Sequence, residues 1–161
     1  MSDRPKLLTT EMRMVAAKYI ARDIEAQDML DGWTVDKLAV KIAASASAHM
    51  DGYEIAKALE SCSGFSCSLE TAEILDGFSS IARHQIEEAQ KIWVSENDIH
   101  PPFPLGTKIS CKWGGEIILG VIDEIYKYGP AQYCIKKDGS DFNAGRPIVN
   151  FEDVTPSTGP A

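Results

Sequence analysis

Nowhere does the chain run apolar for the roughly 18 positions that a membrane-spanning helix needs. Its opening, "MSDRPKLLTTEMRM", lacks the apolar core of a secretory leader, so the expected location is cytoplasmic. Cysteine is scarce, at four in 161 residues, and none stands in a C-x-x-C pair or beside a histidine at metal-ligand spacing. Cys62, Cys67, Cys111 and Cys134 are therefore expected to be reduced, packed thiols, with no metal site and no disulfide framework. There is no G-x-x-x-x-G-K-[ST] loop, no G-x-G-x-x-G after a strand and no G-x-S-x-G elbow. Those absences remove the commonest routes to nucleotide binding and serine hydrolysis, and no cofactor is expected. Positive charge is also short, with 16 Lys and Arg against 24 Asp and Glu, a net charge of −8.

The deficit is uneven. Residues 1–100 hold 17 acids and 10 bases, whereas residues 101–161 hold seven and six. An acidic first half repels a phosphate backbone and favours a basic partner.

That first half reads as helices. Met12, Val15, Ala16, Tyr19, Ile20, Ile24 and Met29 recur three or four apart, with Thr9 or Thr10 as the N-cap. A second helix starts at Thr34 and carries Leu38, Ile42 and Ala43 on one face, and a third runs from Asp51 to about Ser61. Leu69, Ala72, Leu75, Phe78, Ala82, Ile86, Ala89, Ile92 and Trp93 then hold one face over a long helix, bent at Gly77. Its face, through Phe78, Ile86 and Trp93, offers a route to a homo-oligomer through the 69–95 helix. Ser80, His84 and Glu88 stand at i, i+4 and i+8, a spacing that invites a nucleophile–base–orienter reading. A row along one helix has no oxyanion hole and no pocket, so a solvated polar face is the expectation, and no catalytic residue is assigned.

One phrase appears three times: "LDGW" at Leu30–Trp33, "MDGY" at Met50–Tyr53 and "LDGF" at Leu75–Phe78. None has the acids of a calcium-binding EF-hand loop. The unequal spacing argues against a repeat. Position by position, Gly32 is expected to end the first helix, Asp51 to N-cap the third with Glu54 closing a capping box, and Asp76-Gly77 to lie within a helix.

At "NDIHPPFPLG" the composition breaks, and Pro101, Pro102 and Pro104 predict a stiff linker over 99–105. Beyond it the hydrophobic period changes to two. "TKISCKW", "EIILGVIDEIYKY", "AQYCIKK" and "RPIVNFEDV" read as short strands, with Gly120 bending the longest and Phe151 in the core. Trp113, Tyr126 and Tyr128 are expected to form an exposed aromatic cluster near Asp123 and Glu124, suited to a cationic side chain. Lys108, Lys112, Lys127, Lys136, Lys137 and Arg146 would frame the alternative, a nucleic-acid face.

"PLGTKISCKWGGEIILGVIDEIY" and "RPIVNFEDV" resemble SH3-like barrels of the KOW or Tudor-like kind. Helices joined to such a barrel are similar to small proteins of phages, prophages and mobile elements. The KOW resemblance implies binding of RNA or ribosome-associated proteins, and the phage resemblance implies occupation of a basic groove on a host protein, as anti-CRISPR proteins and DNA mimics do. Neither implies a defined set of site residues.

The expected fold is α+β: a flexible 1–8, an acidic helical bundle over 9–98, the linker, an SH3-like β-barrel over 106–154 and a disordered tail over 155–161. The expected function is a non-enzymatic binding protein that engages a basic, nucleic-acid-binding host protein as an inhibitor of host defence. Its contact acids are Asp23, Glu25, Asp28, Asp36, Glu87 and Glu88. The alternatives are a nucleic-acid-binding accessory protein using the barrel and an oligomerisation scaffold.

Overall fold

The computed structural model describes residues 3–139 and 145–157. Within them the fold is α+β: five helices followed by five antiparallel strands. Among the described residues no helix is long and apolar enough to cross a membrane.

The helices start where side-chain oxygens stand ready to take the first free amides. Thr9 Oγ1 accepts from the Met12 amide at 3.2 Å and opens α1, Thr10–Ala26. Thr34 does the same for Lys37 at 3.3 Å and opens α2, Val35–Ser45. Asp51 accepts from Glu54 N at 2.8 Å while Glu54 Oε2 accepts from Asp51 N at 3.0 Å, the reciprocal capping box that opens α3, Gly52–Ser63. Ser68 caps α4, Leu69–Asp76, through the Thr71 amide at 3.1 Å, and α5 follows as Phe78–Glu96.

Two expectations about helix ends are corrected. The first helix ends at Ala26, well before Gly32, because Asp28 turns left-handed at φ 58°. Asp28 N donates to Glu25 O at 2.9 Å and Met29 N to Ile24 O at 3.1 Å, a Schellman closure with aspartate where glycine is usual. Asp31 and Gly32, at φ 45° and 78°, instead make the turn that leads into α2. The helical run over 69–95 is also interrupted at Gly77. Its amide bonds Ile74 O at 3.1 Å, three residues back, so α4 closes in a tight turn before α5 resumes.

The buried stripe of α1 is narrower and smaller than its spacing predicts. Ala16, Ala17, Ile20, Ala21 and Ile24 are buried, whereas Val15 and Tyr19 are 39 % and 53 % exposed. Alanines at three of five core positions let α2 pack close, with Leu38, Ala39 and Ile42 fully buried against them. Leu69 and Ile92, predicted on the apolar face of the long helix, are exposed as well.

The sheet order is β4-β3-β2-β1-β5, with β1 Lys108–Trp113, β2 Glu116–Ile125, β3 Gln132–Lys137, β4 Ile148–Asn150 and β5 Val154–Pro156. Gly114 and Gly115, both at positive φ (59° and 90°), close the β1–β2 hairpin in the geometry that matches strand twist. Gly120 is needed for a close approach, since a Cβ there would lie 2.4 Å from Lys136 O. Asp123 is an extra residue between the pairs Ile122–Ile135 and Glu124–Cys134, a bulge that turns the strand. A 3-10 turn, Phe151–Asp153, brings the chain back to β5, which pairs with β1. Phe151 is buried against Tyr133, with ring centroids 4.3 Å apart.

The chain forms two compact units, and the boundary lies between Ala89 and Gln90, inside α5, not at the prolines. Each unit has its own apolar core. The expected linker is therefore part of the β unit. Ile99 and Phe103 pack on its core, and Tyr133 Oη donates to Phe103 O at 2.7 Å while accepting from Phe103 N at 3.0 Å. At the ends, Arg4 is buried within the expected flexible segment, and Thr155 and Pro156 belong to β5, not to a tail. Met1, Ser2 and residues 158–161 lie outside the described residues.

Candidate functional site

The helical unit has an open groove of about 450 Å³ between the C-terminal half of α1 and the α4–α5 junction. Ile20, Ile74 and Ile81 supply its apolar wall, and Gly77 lines it beside them. Glycine belongs there for a steric reason. A Cβ would stand 3.2 Å from Ile74 O, which would have to give by a few tenths of an ångström, and 3.4 Å from Ile20 Cδ1, an ordinary contact. Asp23, Glu73 and Ser80, all exposed, give the groove its polar lining.

The charged side chains of this groove share one sign. Asp23 lies near the C-terminal end of α1, and Glu73 near that of α4. Neither helix has a basic residue in its last turn. The partial negative charge at the end of α1 is thus joined by a carboxylate and has no basic residue in that turn, whereas that of α4 adjoins the N-terminal start of α5. Such an arrangement costs the fold a little and favours a positive group from outside.

The other acids expected to act with Asp23 are not gathered beside it. Glu25 is two residues on, roughly 200° around the helix, so it leaves α1 on the opposite flank. Asp28 is spent on the left-handed turn that ends α1, although its carboxylate is exposed. Asp36 pairs with Lys18 at 3.4 Å on the surface. Glu87 is exposed and Glu88 half-buried on α5, beyond the segment that lines the groove. Of the Ser80–His84–Glu88 row, only Ser80 reaches the groove.

Glu73 was not singled out in the sequence. It follows Leu69 and Ala72 on a helix with a strong apolar face, and only the tertiary contact between α1 and α4 brings it into the groove that Asp23 lines. The usable signal was the repetition of acids, not bases, in the closing turns of both helices.

The β unit corrects the aromatic expectation. Trp113 ends β1 opposite Glu116, at the start of β2, whereas Tyr126 follows Ile125 at the other end of that ten-residue strand. At about 3.3 Å per residue the strand length is on the order of 30 Å, so the three rings form no single cluster. Tyr126 and Tyr128 do meet edge to face at 5.7 Å, and Trp113 stands apart, 50 % exposed. Nor do Asp123 and Glu124 wait for an outside cation. The Arg146 guanidinium bonds Asp123 and lies 4.0 Å from Glu124.

Among the described residues the four thiols are free, and no group of three or more His, Cys, Asp or Glu is gathered as a metal site. Burial, reinforced by Asp153, pushes the Cys111 thiol above its ordinary range. Burial and Glu124 do the same to Cys134.

Comparison with protein-family models, curated proteins and solved structures finds no match to this chain.

Proposed function

We propose that the chain is a non-enzymatic binding protein whose helical unit receives a lysine or arginine side chain of a basic protein partner in the α1–α4/α5 groove. One observation carries this reading: two exposed carboxylates and the C-terminal end of α1 line one groove with an isoleucine wall. The aliphatic stem of a long cationic side chain would cover the isoleucines, and its charged head would lie between Asp23 and Glu73. The acid excess of residues 1–100 steers such a partner from a distance.

A basic surface that ordinarily holds nucleic acid has this character, and inhibition of a nucleic-acid-binding host complex, as in anti-CRISPR or DNA-mimic proteins, is the biological form we favour. The β unit has features expected of an SH3-like barrel: five short antiparallel strands, a bulged long second strand and a last strand that returns beside the first. Nucleic-acid binding through that unit has less support, because its aromatic residues are dispersed and Arg146 is engaged by acids. Assembly through the long helix has less support too, since Phe78 is buried in the helical core and Trp93 packs on the β core.

The test is calorimetric titration of the whole protein with an arginine-rich amphipathic peptide at several salt concentrations. The paired reversal Asp23→Lys/Glu73→Lys should weaken binding at least about tenfold and flatten its salt dependence. Reversal of Asp36 and Glu87, away from the groove, should change the salt slope alone. Equal loss from both pairs would mean that diffuse charge, and not the groove, does the binding.

A further inference from the structure

The long strand β2 breaks the pattern of its own sheet. Ile118, Gly120 and Ile122 face the core, as the period of two requires. The alternate positions should then be polar, as Lys108, Ser110 and Lys112 are on β1 and Gln132 and Lys136 on β3, where Cys134 between them is buried. On β2 they are Ile117, Leu119 and Val121, with Ile117 78 % and Leu119 51 % exposed. An aliphatic stripe thus lies along the outer face of the sheet.

The register fixes what borders it. Lys112 stands opposite Ile117 and Ser110 opposite Leu119, on β1. Val121 has Lys108 on one side and Lys136, from β3, on the other. All three lysines are exposed, and among the described residues none of the three has an ion-pair partner. Asp138 also stands at this border, its amide donating to Leu119 O at 2.9 Å. Three aliphatic side chains in line, bordered by three ammonium groups and one carboxylate, are on balance complementary to an apolar ridge flanked by carboxylates.

We infer that the outer face of β2 is a docking surface for an acidic amphipathic helix of a protein partner. The helix lays its apolar face on Ile117, Leu119 and Val121 and its flanking carboxylates against Lys108, Lys112 and Lys136. Sheet faces are ordinarily covered by helices or a second sheet, and the charge pattern selects the sign of the cover. A single-stranded nucleic acid would satisfy the lysines but would set bases on branched aliphatics, where stacking has no aromatic partner. Edge pairing is the poorer route, because the edge strands β4 and β5 have three residues each and β5 ends in proline. This surface belongs to the β unit and is independent of the groove proposed above.

The experiment adds a synthetic leucine–glutamate amphipathic helix of about 15 residues to the whole isotope-labelled protein and follows its amide resonances. Saturable shifts are expected along Lys108–Trp113, along β2 from Glu116 to Val121 and at Lys136. Leu119→Asn should weaken the peptide at least about tenfold, and so should Lys112→Glu/Lys136→Glu, with thermal melts of both variants close to the parent. A peptide with lysines in place of the glutamates should leave these resonances unmoved. The inference is overturned by no shifts at about 1 mM peptide, by an equal response to the lysine peptide, or by tighter, same-residue shifts from a single-stranded oligonucleotide or an anionic lipid vesicle.

Discussion

Cys67 lies half-buried behind the end of α3, where its own amide donates to Glu60 Oε1 at 3.2 Å. Burial first, and then that carboxylate, push its thiol from 9.0 up to about 11. The folded protein therefore keeps this proton at a pH where the unfolded chain has lost it. The resulting stability is fully present below pH 9 and is lost as pH rises toward about 11. Urea midpoints should fall across that window, and Cys67→Ser should make the fall shallower; an unchanged slope would contradict the assignment. Exposed Cys62 should be the first thiol to react with a disulfide reagent at pH 8, since Cys111 and Cys134 are both buried and shifted upward.

At the scale of elements, two of the three Asp-Gly phrases turn out to be one joint. Gly52 begins α3 fully enclosed, and Asp76 Oδ1, at the end of α4, accepts its amide at 3.0 Å. A Cβ on Gly52 would lie 2.0 Å from Ala72 O and 2.6 Å from Asp76 N, both backbone atoms that cannot rotate away. Gly52→Ala should cost about 2–3 kcal/mol of unfolding free energy in urea. A loss below about 0.5 kcal/mol would show that the two helices part easily. The capping signals at Thr9, Thr34 and Asp51 were legible because they act within four residues of chain. This joint spans 24 residues, and so it was not. The left-handed turn at Asp28 was hidden for another reason: Gly32, only four residues on, carries the usual residue type for that work. In the β unit the strands and the Gly-Gly hairpin could be read from local pattern, whereas the bulge at Asp123 could not. The separation of Trp113 from the tyrosines could not, because it depends on strand register. Of the two carboxylates in the groove, sequence supplied Asp23 alone.

For the molecule as a whole, charge is the dominant surface property, with a net −8 and a pI near 4.8. None of α1 to α5 has a basic residue in its last turn, so helix ends and side chains repel in concert. Raising sodium chloride from about 20 to 200 mM, which shortens the screening length from roughly 20 Å to below 10 Å, should raise the melting temperature by a few degrees. A fall would mean that specific ion pairs, such as Lys18–Asp36, outweigh the general repulsion.

The paired hydrogen bonds of Tyr133 to Phe103 have a consequence for inheritance. Trp93, Val94, Ile99 and Phe103 all cover the β core, so the last turns of a helix and a run of prolines are working walls of a five-stranded unit. A recombination event that transferred only the strands, from Lys108 onward, would deliver a sheet with an uncovered flank and a buried phenol stripped of both partners. The smallest segment that evolution can move intact begins inside α5, before Trp93, and any relative that shares these strands should carry that helical preface with them.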